Sequence, residues 1–181
     1  MILRKNFTYL LIPKKTQENT CAQFAGARRW IFNWGLDQRK ESWEKTKTRI
    51  TLYNQNNELV ALKKREDIPW IKSIHSQVLQ QGLHDLDRAF VNFWTGLKKK
   101  TKTGYPRFKC KGVRDSFRYP QGVKVKGNEV WLPKIGWVKF RKSREIEGKI
   151  KQTTVFKKVD KWYVSFSTEI EKEIPKIIPD K

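Results

Sequence analysis

The sequence is poor in the residues that hold metals or form disulfides. Cys21 and Cys110 are its only cysteines, and two thiols so far apart form neither a disulfide framework nor a zinc motif. His75 and His84 are the only histidines, and neither has a second ligand at metal-binding spacing. We expect no metal site, and the cysteine usage fits a reducing cytoplasm.

Long apolar runs and catalytic motifs are also missing. No apolar run approaches the roughly 20 residues of a membrane span, and residues 1–13 are too short and polar for a signal peptide. Asp85 and Asp87 point to different faces of a helix, whereas a two-metal nuclease needs several converging carboxylates. Without a Gly-rich phosphate loop or a nucleophile elbow, the sequence predicts no catalytic residues and no membrane binding.

Acidic residues are few compared with basic ones. Forty Lys and Arg face eighteen Asp and Glu, so the formal net charge is +22. Such a domain repels itself unless an anionic partner neutralises it. Nucleic acid is favoured, because no single amphipathic helix concentrates the cations as a membrane surface would require. Residues 1–94 carry a net charge of +7 and residues 95–181 a net charge of +15.

The first half of the sequence predicts one strand followed by helices. Residues 2–12 are typical of a strand that ends at Pro13. Thr16 is a plausible N-cap for a first helix, and Gly26 is expected to separate that helix from a second one. Helices are also predicted over about residues 52–64 and 76–97. The last of these carries an apolar face at spacings of 4, 3, 4, 3 and 4: Leu79, Leu83, Leu86, Phe90, Phe93 and Leu97.

The second half predicts short strands joined by turns. The strand candidates are residues 116–119, 123–125, 129–132, 136–140, 149–158 and 161–170. An isolated N-terminal strand is not stable without a sheet, and the C-terminal strands supply the only one. The predicted fold class is therefore α+β, with a β-barrel-like unit built from residues 1–13 and 115–171 and an inserted helical part.

The stretch Gly-Tyr-Pro-Arg-Phe-Lys at residues 104–109 interleaves aromatic and cationic side chains. Cations hold phosphates and aromatic faces stack on bases, so Tyr105 and Phe108 are candidate stacking residues; a solvated basic loop pinned by two core aromatics is the alternative. The candidate contacts to the RNA or DNA backbone are Lys98, Lys99, Lys100, Lys102, Arg107, Lys109, Lys111, Arg114, Arg118, Lys134, Lys139 and Arg141.

Two further patterns are weaker. Amide side chains at residues 54–57 and 77–81 can read base edges, but they are more often ordinary polar surface. The first two predicted helices could form a helix-turn-helix around Gly26, with Arg28 and Arg29 at the start of the recognition helix. Their alternative role is simply to pack the helical part.

Many stretches resemble the N-terminal part of the TnpB family, the transposon-associated RNA-guided DNA endonucleases also called OrfB. The most specific are Gly-Tyr-Pro-Arg-Phe-Lys at residues 104–109 and Leu-Pro-Lys-Ile-Gly-Trp-Val at residues 132–138. The others are residues 28–34, 61–64, 70–71, 79–86, 89–94, 148–151 and 162–165. The resemblance covers nearly the whole chain.

The resemblance implies a wedge domain, an OB-like β-barrel, interrupted by a helical recognition domain. The wedge would comprise residues 1–13 and 115–181, the recognition domain residues 14–97, and a basic linker residues 98–114. These parts would hold a transposon-end guide RNA and help read the short motif beside a double-stranded DNA target. The positions implied to read that motif are Tyr53, Asn57, Ser76, Gln77, Gln80 and Gln121.

The family pattern continues with a RuvC-like nuclease domain, which opens with Gly-Ile-Asp-x-Gly and contains a zinc ribbon; neither occurs in this sequence. Asp180 precedes the expected place of that motif and is not its metal ligand. We therefore expect a nuclease-less binding module without magnesium or zinc sites, located in a prokaryotic cytoplasm at the nucleoid. The alternatives are a DNA-binding transposon regulator and the non-catalytic part of a nuclease split over two chains.

Overall fold

The computed structural model describes residues 2–101 and 103–171. The chain forms one strand, then helices, then six more strands, in the order that the sequence predicts. The elements are β1 (Ile2–Ile12), α1 (Lys15–Thr46), α2 (Leu52–Leu62), the 3-10 helix η1 (Pro69–Ser73), α3 (Ser76–Lys98), β2 (Ser116–Tyr119), β3 (Lys124–Lys126), β4 (Glu129–Leu132), β5 (Gly136–Arg141), β6 (Lys149–Lys158) and β7 (Lys161–Glu171).

The seven strands form one antiparallel sheet in the order β2-β6-β7-β1-β5-β4-β3. β1 lies at its centre, and Leu10 pairs with Tyr163 of β7 on one side and Arg141 of β5 on the other. Alternate side chains of β1, including Phe7 and Tyr9, are buried, as the two-residue period of a strand requires. The N-terminal strand is therefore the element that joins the two halves of the sheet.

The sheet curls into a half-barrel, with β2 and β3 as its edges. The hydroxyl of Tyr119 on β2 donates a hydrogen bond of 2.9 Å to the carbonyl of Pro133 in the β4–β5 turn, and this contact brings distant parts of the sheet together. Hydrogen bonds among the described strands do not close the curve. The predicted barrel is thus an open half-barrel here, and its kinship with oligonucleotide-binding folds stays a prediction.

The prediction of two helices separated at Gly26 is wrong, because α1 runs uninterrupted for 32 residues. The helix begins after Lys14, whose backbone N–H donates to the Gln17 side chain, so Thr16 is not its N-cap. A glycine inside a helix costs only about 1 kcal/mol. The buried stripe from Cys21 to Leu36 continues past Gly26, and its burial outweighs that cost.

Helix α3 packs closely across α1 at Gly82. A Cβ atom at Gly82 would lie 2.4 Å from Cγ2 of Ile31 and 3.0 Å from the carbonyl oxygen of Arg28. The first part of the predicted apolar face of α3 is buried, whereas Leu97 at its end is exposed. Gly82 therefore fixes how near the two helices approach, although it weakens the helix that contains it.

The main hydrophobic core is shared by helices and sheet. It joins Phe24 and Ile31 of α1 with Phe117 and Phe166 of the sheet, and Phe24 packs edge-on against Phe117 at 5.5 Å. A small second cluster lies between α1 and α3. The division into wedge, recognition domain and linker stays a prediction, and its residues 172–181 lie outside the described part of the chain.

Candidate nucleic-acid interface

Two of the arginines meet one carboxylate where the helices join the sheet. The Nε of Arg28 donates to Oδ2 of Asp85 at 2.9 Å, and the Arg118 guanidinium on β2 holds the other carboxylate oxygen. Arg28 also binds the Ser116 hydroxyl at 3.0 Å, and Arg118 Nε binds the Gln81 side chain at 2.7 Å. All three charged side chains are largely buried. We call this set, residues 28, 81, 85, 116 and 118, the junction.

The chain between α3 and β2 is fixed to α1 by two further contacts. The Asn33 side chain accepts a hydrogen bond from the backbone N–H of Lys109 at 2.8 Å and donates to its carbonyl at 3.0 Å. Nη1 of Arg29 lies 2.7 Å from Oδ1 of Asp115. These contacts hold the basic linker against α1 at Lys109 and, just after its end, at Asp115.

Most of the predicted backbone-binding cations are exposed and unpaired. None of the following forms an ion pair within residues 2–101 and 103–171: Lys98, Lys99, Lys100, Arg107, Lys111, Arg114, Lys139 and Arg141. We call these eight residues the open cations. The first three lie at the C-terminal end of α3, where the helix dipole also favours positive charge. Lys102 lies outside the described residues.

The two predicted stacking residues lie on the helical side of the linker. Tyr105 is 41% exposed and packs edge-on against Phe90 at 5.4 Å and Phe93 at 5.3 Å. Phe108 is 47% exposed, and Nζ of Lys40 lies 5.1 Å from its ring centre. Each ring is anchored on one side and open on the other, an arrangement that suits base stacking.

Lys109 is the most strongly perturbed cation of the linker. Burial, together with the neighbouring positive charge of Arg28, lowers its pKa to about 8, while the carboxylate of Asp85 opposes the shift. Its ammonium lies 3.8 Å from the centre of the Phe32 ring. The Lys109 side chain is therefore partly buried, and its ammonium is less accessible to a phosphate than those of the exposed lysines.

The four predicted cations on the strands and turns of the sheet differ in their surroundings. Lys134 already donates to the carbonyls of Lys72 at 2.8 Å and Ile74 at 3.4 Å, so it secures the end of η1. Lys139 and Arg141 are exposed two residues apart on β5 and therefore lie on the same face of the strand. Arg118 and Lys134 thus both have protein partners, which the sequence alone did not reveal.

The residues implied to read a DNA motif lie mostly on exposed parts of α2 and α3. Tyr53 is 73% exposed, and Asn57 is exposed one helical turn further along the same face of α2. On α3, Gln80 is exposed, while the Ser76 hydroxyl accepts a hydrogen bond of 2.6 Å from Lys63. These side chains occupy two helices that contact each other.

Two of the residues implied to read the DNA motif differ from the others: Gln77 is partly buried, and Gln121 lies outside the helices. The Oε1 atom of Gln77 is buried without a hydrogen-bond partner in the described residues. Gln121 is exposed in the turn between β2 and β3. The ring of Tyr119, two residues earlier, lies 5.6 Å from the His75 ring just before α3. That contact brings the turn towards the start of α3, where Gln77 and Gln80 lie.

The structure does not support a helix-turn-helix reading of Arg28 and Arg29. Both arginines lie in the middle of the continuous helix α1, and both are held by carboxylates from other elements. A recognition helix presents its first residues to base edges, but neither guanidinium is at a helix start. The expected turn at Gly26 is absent from the described structure.

Metal clusters and membrane-spanning helices are two further features that the sequence predicts to be absent. Within residues 2–101 and 103–171, no group of three or more His, Cys, Asp or Glu side chains could hold a metal ion. None of the helices in this part of the chain has the length and hydropathy of a membrane span. The expectations of no metal, no catalysis and no membrane binding stay predictions.

The fold and the basic segment together define a class of protein. The chain is an α+β protein in which a curled antiparallel sheet and a helical layer share one core, and a basic segment crosses the boundary between them. The exposed cations and half-exposed aromatics of that segment are typical of proteins that bind nucleic acid.

Comparison with known proteins narrows that class. Residues 1–48 match the OrfB/IS605 family described as a helix-turn-helix domain. Two relatives carry the name "Putative RNA-guided DNA endonuclease": InsQ of Escherichia coli (strain K12), 39% identical over 93% of this chain, and a protein of Streptomyces pristinaespiralis, 28% identical over 92%. These matches confirm the resemblance to the TnpB/OrfB family.

Both relatives are much longer than the match. The chain spans 41% of InsQ and 42% of the Streptomyces protein. The stretch that matches the helix-turn-helix family forms β1 and the single helix α1. The comparisons therefore establish kinship with the N-terminal part of these proteins, and they leave the roles of individual side chains to experiment.

Proposed function

We propose that this chain is a non-catalytic binding module that holds a transposon-derived guide RNA and helps recognise the motif beside a double-stranded DNA target. The observation that carries the proposal is the 39% identity with InsQ over nearly the whole chain. The eight open cations support it, because none of them has an ion-pair partner in the part of the chain that the structure describes, and a phosphate would supply one.

We assign the two nucleic acids to different parts of the molecule. The guide RNA contacts the linker and β5 through the open cations, with Tyr105 and Phe108 stacking on unpaired bases. The DNA motif contacts Tyr53, Asn57 and Gln80 together with Ser76, Gln77 and Gln121. This assignment places the RNA on the basic linker and one strand of the wedge, and the DNA mainly on the inserted helical recognition domain.

The first experiment measures binding of RNA from the right end of the transposon that carries this gene. Electrophoretic shifts are recorded over a salt series, with an unrelated structured RNA of equal length as control. We expect tighter binding of the transposon RNA at every salt concentration. Equal affinity for both RNAs would show that the cations act without specificity and would contradict guide recognition.

A second candidate function is DNA binding without RNA, as in a transposon regulator. Its support is the match of residues 1–48 to a helix-turn-helix family. Footprinting on the transposon-end DNA without RNA distinguishes the two, because a regulator protects its site alone. The continuous α1, with Arg28 and Arg29 already paired, makes us favour the RNA-dependent function.

Catalysis in this proposal belongs to residues outside the chain, either on a separate polypeptide or in a longer form of the protein. Incubation of this chain with guide RNA, magnesium and a plasmid carrying the target should leave the DNA uncut. Cleavage by the chain alone would contradict the proposal that it is non-catalytic, while leaving RNA binding intact.

A further inference from the structure

A small cavity lies between the C-terminal end of α1 and the far end of α3. Its volume is about 140 Å³. Tryptophans from the two helices, Trp43 and Trp94, line it, and Tyr105 of the linker and Ile50 of the loop after α1 complete the apolar part. A small cavity with several aromatic walls suits one planar ring system better than an extended peptide.

Several protein contacts position the back wall of this cavity. Tyr105 is held edge-on by Phe90 and Phe93 at 5.4 and 5.3 Å. The Arg39 guanidinium lies 5.1 Å from the centre of the Phe90 ring, and both of its terminal nitrogens lie 3.2 Å from Oδ1 of Asp87. Contacts within the protein thus position the surface that an entering ring would meet.

The rim of the cavity carries unused aromatic and cationic groups. Trp43 is 54% exposed and Trp94 is 47% exposed. Arg49 lines the cavity and forms no hydrogen bond or ion pair with another described residue, and Nζ of Lys47 lies 5.8 Å from the Trp43 ring centre. The rim therefore presents two half-exposed indoles beside a guanidinium that has no partner among the described residues.

We propose that this cavity binds one unpaired nucleobase of the RNA held by the module, and the inference rests on the function proposed above. The base stacks against Trp43 or Trp94, and Arg49 at the rim binds the adjoining phosphate. The hydroxyl of Tyr105 is protonated at neutral pH, as that of tyrosine ordinarily is, and can donate a hydrogen bond to the base. Burial raises its pKa further, with a smaller contribution from Glu44.

The charge of the residues around the cavity and the position of the cavity beside the basic linker favour RNA as its occupant. The cavity opens beside the basic linker, whose cations would already carry the RNA backbone, and Tyr105 belongs to both. No carboxylate is among the described residues that line the cavity. Of the two acids close to it, Asp87 is paired with Arg39, and Glu44 is near enough to Tyr105 to raise its pKa. A protein partner would bring its own carboxylates or apolar side chains, whereas RNA supplies both the planar ring and the phosphate that these groups require.

The test compares a short single-stranded RNA with the same strand in which abasic residues replace its bases. Both strands carry the same phosphates, so only base contacts differ. We expect the wild-type protein to bind the intact strand about tenfold more tightly, since stacking on one aromatic residue has an effect of that order. Trp94→Leu should bind the intact strand more weakly than the wild-type protein, by up to about tenfold, and should bind the abasic strand equally well. Stacking on Phe108 keeps a smaller base effect in this variant. Trp70→Leu, at an exposed tryptophan outside the cavity, is the matched control.

A second variant protects the test against misfolding. Arg49→Gln changes an exposed side chain that forms no hydrogen bond or ion pair with another described residue, so the fold should be unaffected. It should weaken both strands by a similar factor, because it removes a phosphate contact. Crosslinking with 4-thiouridine-substituted RNA, followed by mass spectrometry, should label peptides that contain Trp43, Trp94 or Tyr105.

The outcomes separate this inference from the function on which it rests. If Trp94→Leu and Trp70→Leu bind the intact strand equally, while wild-type RNA binding remains, the cavity assignment is wrong and RNA binding stands. If the wild-type protein binds neither strand, both proposals fail. A base effect seen with DNA of the same sequence but absent with RNA would also overturn the assignment to RNA.

Discussion

The junction and the basic linker are both rich in positive charge, but they use it differently. At the junction, Arg28 and Arg118 share the carboxylate of Asp85 and are largely buried. Along the linker, cations such as Lys99 and Arg107 are exposed and have no ion-pair partner in the described residues. The difference shows that net charge alone does not locate a binding surface, because part of it holds the fold together.

The largest effect is expected when the junction loses its shared carboxylate. Asp85→Asn leaves two largely buried guanidiniums without a counter-charge, and removing one partner of such a pair costs about 3 kcal/mol or more of unfolding free energy. Urea unfolding followed by circular dichroism measures the change. The matched control is Asp67→Asn, which breaks the exposed pair with Arg65 and should leave the unfolding midpoint unchanged. Equal midpoints for the two variants would contradict the structural role of the junction.

The close approach of α1 and α3 beside the junction predicts opposite effects for two glycines. Gly82→Ala would bring a methyl group 2.4 Å from Ile31, and such overpacking costs about 1–3 kcal/mol. Gly26→Ala meets nothing nearer than 3.7 Å, at Arg29, and should stabilise the helix by about 0.5–1 kcal/mol. Thermal unfolding of the two variants gives the signs, and a shared sign would contradict the described packing.

The linker should contribute to binding without contributing to stability. Replacing Lys98, Lys99 and Lys100 together by Gln should reduce the salt slope of RNA binding by about 2, at roughly 0.7 per single-strand phosphate, and leave the unfolding midpoint unchanged. The control removes the same charge from three exposed lysines that already have carboxylate partners: Lys5, Lys15 and Lys45. If both triple variants change the slope equally, the distinction between paired and open cations is wrong.

Lys109 lies between the two regions and predicts the smallest effect. Its pKa of about 8 is below the ordinary lysine value because burial disfavours the ammonium. At pH values between this folded-state pKa and the ordinary pKa of lysine, the unfolded chain binds more protons than the folded one. The unfolding free energy therefore rises with pH in that range. Lys109→Arg keeps its charge and should lack that rise. Urea midpoints at about pH 7.5 and about pH 9.5 test this, and parallel pH profiles for the two proteins would contradict it.

Much of the fold could be predicted because its patterns are local. The alternating strand β7 and the apolar spacing of α3 each follow from a single period along the chain. The break expected at Gly26 is wrong, because a buried stripe on both sides of one glycine outweighs its helix-weakening effect. The curvature of the sheet depends on contacts such as Tyr119 with Pro133, which no local pattern encodes.

The sequence predicts which segment carries the candidate site. It does not predict which of the cations have protein partners and which are free to bind nucleic acid. The linker sequence identifies where cations concentrate. It does not reveal that Arg118 finds Asp85 or that Lys134 holds carbonyls of η1, since those partners are distant in sequence. The cavity between Trp43 and Trp94 was missed for the same reason: its walls come from α1, α3 and the linker.

The most direct test of the account is lysine footprinting of the complex with transposon-end RNA. Each exposed lysine is acetylated in the free and RNA-bound protein, and the modified peptides are quantified by mass spectrometry. We predict strong protection of Lys98, Lys99, Lys100, Lys111 and Lys139, with little change at the ion-paired Lys5 and Lys45. Equal protection of both groups, or protection of the paired lysines alone, would contradict the claim that the open cations form the RNA-binding surface.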